Sequence, residues 1–333
     1  LVLKIPDRYI SMKVGISMLE TPQKIAVGRA HSKLILIGEH SVVYGQPAIA
    51  FPFKQIEVKV TVKNIGGSSI QIESPFYQGP IEQIPEKMEG IGDCIIQTLK
   101  VLEQQSCGLE IKISSTIPIG RGLGSSAAIA IALVRGLFAF FNQKLSNSQL
   151  MILVERAEKF AHGTPSGIDM MTASSATPIW FQKQQEVEHV QIGAPFHLVI
   201  ADSGRIGDTF AAVKSIRDKY EIKPEQIEQS ITLLGILTQE TRVALAAGDF
   251  QQVGDKLNQA HQHLGLLGVS DSGLDALVDT ARSAGAVGAK LTGGGRGGCI
   301  LALVESEQIG KKVADALLEA GAAQTWQYTI AEC

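Results

Sequence analysis

The chain has 333 residues, 45% of them apolar, which is more than one compact core usually holds and predicts two domains. Lys and Arg total 30 against 33 Asp and Glu, a net charge of −3 with no basic block, which argues against nucleic-acid binding. No apolar run is long enough to cross a bilayer, so no membrane partner is expected.

Residues 1–21 are mildly apolar but interrupted by Lys4, Asp7, Arg8 and Lys13. They lack a continuous hydrophobic region and a small-residue cleavage site, so they read as an N-terminal tail rather than a secretory signal, with Met12 and Met18 as candidate starts. Cys94, Cys107, Cys299 and Cys333 form no C-x-x-C pair and no metal spacing with histidine. They read as reduced thiols of a cytoplasmic protein.

Short strands are predicted over 24–30 and 33–37, separated by a turn, then a loop over Gly38–Gly45 and further strands over 48–53, 56–63 and 70–73. Residues 88–105 carry helical periodicity, with Ile91, Ile95, Leu99 and Leu102 on one face. A strand over 109–117 runs into a glycine-rich turn and an apolar helix ending near Phe141. Ser146 and Gln149 form a capping-box pattern that opens a helix to about His162. A weak hairpin follows over 177–192. Composition places a boundary near Gly193-Ala194-Pro195, dividing the chain into 22–193 and 194–333. The second part reads as a strand over 196–201, the loop Asp202–Thr209 and a helix to Tyr220. Further helices are predicted over 224–247, 249–267 and 272–284. Strands over 286–291 and 299–304, a helix over 306–320 and a strand over 323–329 close the chain.

Two glycine-rich loops stand out. In Pro118-Ile119-Gly120-Arg121-Gly122-Leu123-Gly124-Ser125-Ser126, alternate glycines let the backbone approach a ligand and turn its N–H groups inward. The following helix adds its unpaired N–H groups and positive dipole end, which suits a phosphate chain. Ser125 and Ser126 stand where a helix cap or a Mg²⁺ ligand is useful. Taken alone, the stretch is equally compatible with a strand-to-helix turn that binds nothing. Gly293, Gly295 and Gly298 satisfy G-x-G-x-x-G, but a strand-like run follows where a dinucleotide site needs a helix, so a Rossmann site is rejected. This second loop reads either as a hairpin or as a wall of the same cleft as the first.

Four stretches together resemble the GHMP kinases. Pro118 to Ala128 matches that family's ATP loop, and Lys290-Leu291-Thr292-Gly293-Gly294-Gly295-Arg296-Gly297-Gly298-Cys299 looks like its third motif. Lys33 to Gly45, with Gly38-Glu39-His40-Ser41-Val42-Val43, and His162-Gly163-Thr164-Pro165-Ser166-Gly167-Ile168-Asp169 are most similar to the mevalonate kinase branch. Galactokinases look like G-E-H-T-D-Y-N at the first stretch, where this chain has Ser41, Val42 and Val43. Two departures, Ser32 before Lys33 where a glycine is usual and Thr164 where an asparagine is commoner, remove no charged group.

The resemblance implies a two-domain α+β GHMP-kinase fold with its site in the inter-domain cleft, ATP and Mg²⁺ as cofactors, and phosphorylation of the C5 hydroxyl of mevalonate. Phosphomevalonate kinase, another small-molecule kinase of the family and a non-catalytic ligand-binding relative are the alternatives. It implies Asp169 as the base and Lys33 as its cation. Ser115, Pro118, Gly120, Arg121, Gly122, Leu123, Gly124, Ser125 and Ser126 are implied for ATP, and Ser126 with Glu158 for the metal. Glu39, His40, Ser166 and Thr209 are implied for the substrate. A homodimer is left open. His261 and His263, two apart on a predicted helix, read as structural.

Overall fold

A computed structural model of the chain describes residues 24–104, 108–162 and 166–331. The tail expected over 1–21, Cys107, Cys333 and the Gly163-Thr164-Pro165 stretch lie outside the described residues.

The first half is built on β1 (Ile25–Ile37), β2 (Ala48–Asn64), β3 (Ile70–Ser74), β4 (Tyr77–Pro80), β5 (Leu109–Ser115), β6 (Ile179–Phe181) and β7 (Glu188–His189). They form one sheet in the order β4-β3-β5-β2-β6-β7, with β1 antiparallel to β2. Helices α1 (Glu89–Val101), α2 (Ser125–Phe140), α3 (Asn147–His162) and α4 (Ile168–Ser174) belong to this half. Small residues let α2 sit directly on β1: a side chain at Gly28 would meet the Ala132 carbonyl and the Gly136 backbone.

In the second half β8 (Phe196–Asp202), β9 (Gly288–Thr292), β10 (Cys299–Val304) and β11 (Gln324–Ile330) make an antiparallel sheet in the order β11-β8-β10-β9. Helices α5 (Thr209–Ile222), α6 (Pro224–Ala247), α7 (Phe250–Leu267), α8 (Ser272–Ser283) and α9 (Glu307–Glu319) complete it. Their starts follow the sequence: Asp208, Asp249, Asp271 and Ser306 cap with their side chains, and Pro224 opens α6. The two halves share apolar packing. Phe51 of β2 meets Phe196 of β8 edge-on at 5.9 Å, and Phe53 meets Trp326 and Tyr328 of β11.

Several expectations are corrected. The segments 24–30 and 33–37 are one strand, with a register shift between His31 and Ser32, and 48–63 is likewise one strand paired with it. A bulge bends a strand and re-aims its side chains without ending it, so Lys33 lies inside a strand just past a bulge. The stretch Gly38–Gly45 contains a 3₁₀ turn over Ser41–Tyr44. Tyr77–Pro80 adds a strand that the sequence did not suggest. Among the described residues no helix is long and apolar enough to cross a membrane. Cys94 and Cys299 are buried free thiols, and burial pushes the Cys94 thiol up to about 12, which makes it inert.

Candidate active site

The glycine turn leads from β5 into α2. Gly120, Gly122 and Gly124 all have positive φ, at 69°, 73° and 72°, the left-handed region that favours glycine. Gly124 is itself the N-cap of α2 and no side chain caps the helix, so Ser125 and Ser126 are its first residues and not its cap. The freed N–H groups of this helix start remain available to a ligand. Ser125 Oγ is shielded from solvent and has no hydrogen-bond partner among the described residues. Pro118 is half-buried at the loop's entrance. Ser115 Oγ accepts the Ile117 N–H at 3.0 Å and so is occupied in a local turn.

Strand β1 holds this loop in place. The Leu123 carbonyl accepts both the Lys33 N–H at 3.2 Å and the Ser32 hydroxyl at 2.7 Å. Ser32, a departure from the family pattern, is therefore a tether between β1 and the loop. The stem of Lys33 lies against Gly124: a Cβ there would come within 2.7 Å of Lys33 Cγ. Lys33 is 2% exposed, and its ammonium meets Asp169 Oδ1 at 2.8 Å. Asp169 stands in the first turn of α4 with its side chain 30% exposed. Gly167 at φ 94° caps that helix, and Ser166 Oγ accepts the Ile168 N–H at 3.4 Å. The structure thus brings together the glycine loop, a buried lysine and a partly open carboxylate.

The second glycine loop joins β9 to β10 as a hairpin and also abuts the first. A Cβ on Gly122 would lie 3.1 Å from Gly293 Cα, and the Gly207 N–H donates to the Gly120 carbonyl at 2.7 Å. Arg121 reaches across as well. Its Nε meets Asp202 at 2.7 Å and its Nη2 donates to the Gly204 carbonyl at 3.0 Å, so this side chain ties the loop to the second half.

His40 and Thr209 converge on Gly294. His40 has φ 62°, and its Nε2–H donates to the Gly294 carbonyl at 3.1 Å. Thr209, exposed at the start of α5, has its hydroxyl over the Gly294 Cα, where a Cβ would fit only by displacing it. Glu39 is 1% exposed and forms an ion pair with the fully buried Lys290 of β9. Burial pushes the Glu39 carboxyl up and the Lys290 ammonium down, while their mutual attraction opposes both shifts. Motif matching gives Lys290 no role; the signal for one is a lysine within a run of otherwise apolar strand residues. Glu158 on α3 is 3% exposed, so it is not the solvated helix-face charge that composition alone favours. Among the described residues no cluster of three or more His, Cys, Asp or Glu could hold a metal; the pair that the resemblance implies, Ser126 and Glu158, is a hydroxyl and a carboxylate. Oxygen donors of this kind suit Mg²⁺, which keeps most of its waters.

Burial lowers the His40 imidazole to about 4, and burial with the nearby Lys290 charge lowers His261 to the same range. Both rings are therefore neutral in the folded protein at pH 5 and above. The unfolded chain takes up protons from about pH 6.5 downward, so stability falls as pH drops from about 6.5 to about 4. We expect Tm to decline over this window and His40→Gln to flatten part of the decline, as read by thermal unfolding across a pH series. An identical slope in the variant would show that His40 titrates normally.

A family model for the GHMP kinases N terminal domain matches residues 93–176, and one for GHMP kinases C terminal matches 241–323. The chain is 33% identical to mevalonate kinase of Pyrococcus horikoshii over 321 residues, 90% of this chain and 93% of that one. Mevalonate kinase of Pyrococcus abyssi is 32% identical with the same coverage. The crystal structure of L. major mevalonate kinase in complex with R-mevalonate matches with a TM-score of 0.79 at 27% identity, covering 94% of this chain and 96% of that chain. The glycine turn expected to cradle phosphate lies in the first of these family domains and the loop that abuts it in the second, and the named relatives match along most of their own length: the chain belongs to the GHMP kinase family.

Proposed function

We propose that the chain is an ATP-dependent mevalonate kinase, transferring the γ-phosphoryl group of ATP to the C5 hydroxyl of (R)-mevalonate to give 5-phosphomevalonate and ADP. The observation that carries this reading is the Lys33–Asp169 ion pair at 2.8 Å, set against the Gly124 turn at the start of α2. Phosphoryl transfer has a loose transition state, so an enzyme contributes chiefly position and electrostatics. The N–H groups of the Gly120–Ser126 turn would hold the phosphate chain. Asp169 would orient the C5 hydroxyl and accept its proton as the new O–P bond forms and the bond to ADP breaks. Lys33 would hold Asp169 in place and meet the charge on the transferring group. Glu39, His40, Ser166 and Thr209 would form the substrate side.

Ser126 and Glu158 would hold Mg²⁺. Bound there with ATP, the ion would neutralise phosphate charge. Periodicity places Glu158 on the inner side of α3: it follows Leu150, Leu153, Val154 and Ala157 on the buried stripe. Glu158→Gln should raise the Mg²⁺ concentration for half-maximal activity at least roughly ten-fold and lower kcat, with Tm maintained. An unchanged Mg²⁺ titration would remove Glu158 from the metal site.

The functional reading is tested by ADP release with Mg·ATP over a panel of mevalonate, 5-phosphomevalonate, galactose and homoserine. Mevalonate should give the highest kcat/KM; preference for another member would overturn the assignment.

A further inference from the structure

Two buried lysines lie where the halves meet, each with its own carboxylate. Lys33 on β1 pairs with Asp169, and Lys290 on β9 pairs with Glu39. The strands touch beside them: the Thr292 hydroxyl donates to the Ile35 carbonyl at 2.9 Å, two residues along from each lysine. Lys290 is 0% exposed and its ammonium also donates to the Leu291 carbonyl at 2.6 Å. Glu39 is 1% exposed, and only one of its oxygens is engaged. Its Oε2 is shielded from solvent and has no hydrogen-bond partner among the described residues.

A buried carboxylate with an empty oxygen attracts any cation within reach, because water cannot satisfy it. Besides Lys290, the cation whose charge acts on Glu39 is Lys33. His261 lies next to this strand, with Nδ1 accepting the Leu291 N–H at 3.4 Å, and is neutral at pH 5 and above, so it supplies no substitute cation. The pairing of two lysines with two carboxylates is thus a choice between arrangements, and Lys290 decides it.

We propose that Lys290 is a positioning residue: by pairing with Glu39 it keeps that carboxylate from drawing Lys33 away from Asp169. Lys33 is then held for the reacting groups, although Lys290 itself touches none of them. The inference rests on the functional reading above, and it separates from a purely structural clamp. A clamp would act on stability alone, whereas this role acts on kcat and only while Glu39 carries a charge.

The test is a double-mutant cycle on the full chain, with (R)-mevalonate and Mg·ATP, reading kcat, both KM values and Tm. Lys290→Met should lower kcat about ten-fold or more with the ATP KM little changed, since a buried partnerless carboxylate recruits Lys33. Glu39→Gln removes the competing charge, so adding Lys290→Met to Glu39→Gln should leave kcat within about two-fold of Glu39→Gln alone. The double variant holds no buried charge, and in Glu39→Gln alone Lys290 keeps the glutamine and Leu291 carbonyls as acceptors, so this comparison can be read even where Lys290→Met alone yields no folded protein. A wild-type chain inert on mevalonate overturns the functional reading and this inference with it. With an active wild type, an equal kcat loss from Lys290→Met in both backgrounds, or a loss of Tm with kcat intact, overturns this inference alone.

Discussion

Asp169→Asn should lower kcat for mevalonate phosphorylation by about 10²–10⁴-fold, ~3–5 kcal/mol of barrier, while leaving ATP affinity nearly unchanged. The asparagine carbonyl can still accept from the Lys33 ammonium, now 2.8 Å from Asp169 Oδ1, so the buried lysine keeps a partner and the local geometry survives. What is lost is the capacity to take the hydroxyl proton. Lys33→Met removes the cation that Asp169 is paired with and that acts in the same step, so the two losses should not add. The double variant should be barely slower than the slower single variant. Retention of more than about a tenth of wild-type kcat by Asp169→Asn, with chemistry rate-limiting, would place the base elsewhere.

What could be read from the chain in advance was local. The glycine turn, the capping box at Ser146 and Gln149, and Pro224 at the start of α6 depend on residues within a few positions of each other, and each has the expected form in the structure. The fold class followed from the motifs and not from periodicity. Periodicity divided β1 and β2 into pieces because polar residues at His31 and Ser32 and at Lys54 and Gln55 interrupt the apolar pattern. The structure absorbs both interruptions in one register shift. The Glu39–Lys290 pair joins residues 251 positions apart, a contact that no local pattern encodes. The same holds for Arg121 on Asp202, where a loop side chain expected near ATP is committed to the other half of the molecule. Glu158 is the intermediate case, since its place on the apolar stripe of α3 was legible once the stripe was followed to its end.

Gly124→Val should abolish most activity, lowering kcat by at least about a hundred-fold and weakening ATP binding together. Two costs coincide at this position. A β-branched residue at φ 72° is a genuine outlier, so the turn must open. The first new carbon would also lie 2.7 Å from Lys33 Cγ and 3.2 Å from Lys33 Cε, so the lysine stem has to move. Lys33 is 2% exposed and has little room to do so without giving up Asp169. Damage to the proposed phosphate cradle would therefore carry straight into the Lys33–Asp169 pair. Gly122→Ala is the contrast, because its Cβ would press on the Gly293 Cα at 3.1 Å and the Gly294 nitrogen at 3.2 Å, in the facing loop and away from Lys33. It should weaken ATP binding while sparing kcat at saturating ATP far more than Gly124→Val does. Calorimetric titration with Mg·ATP and single-turnover rates on both variants separate the two effects. Wild-type single-turnover rates in Gly124→Val at saturating ATP would mean that the glycine turn does not position Lys33.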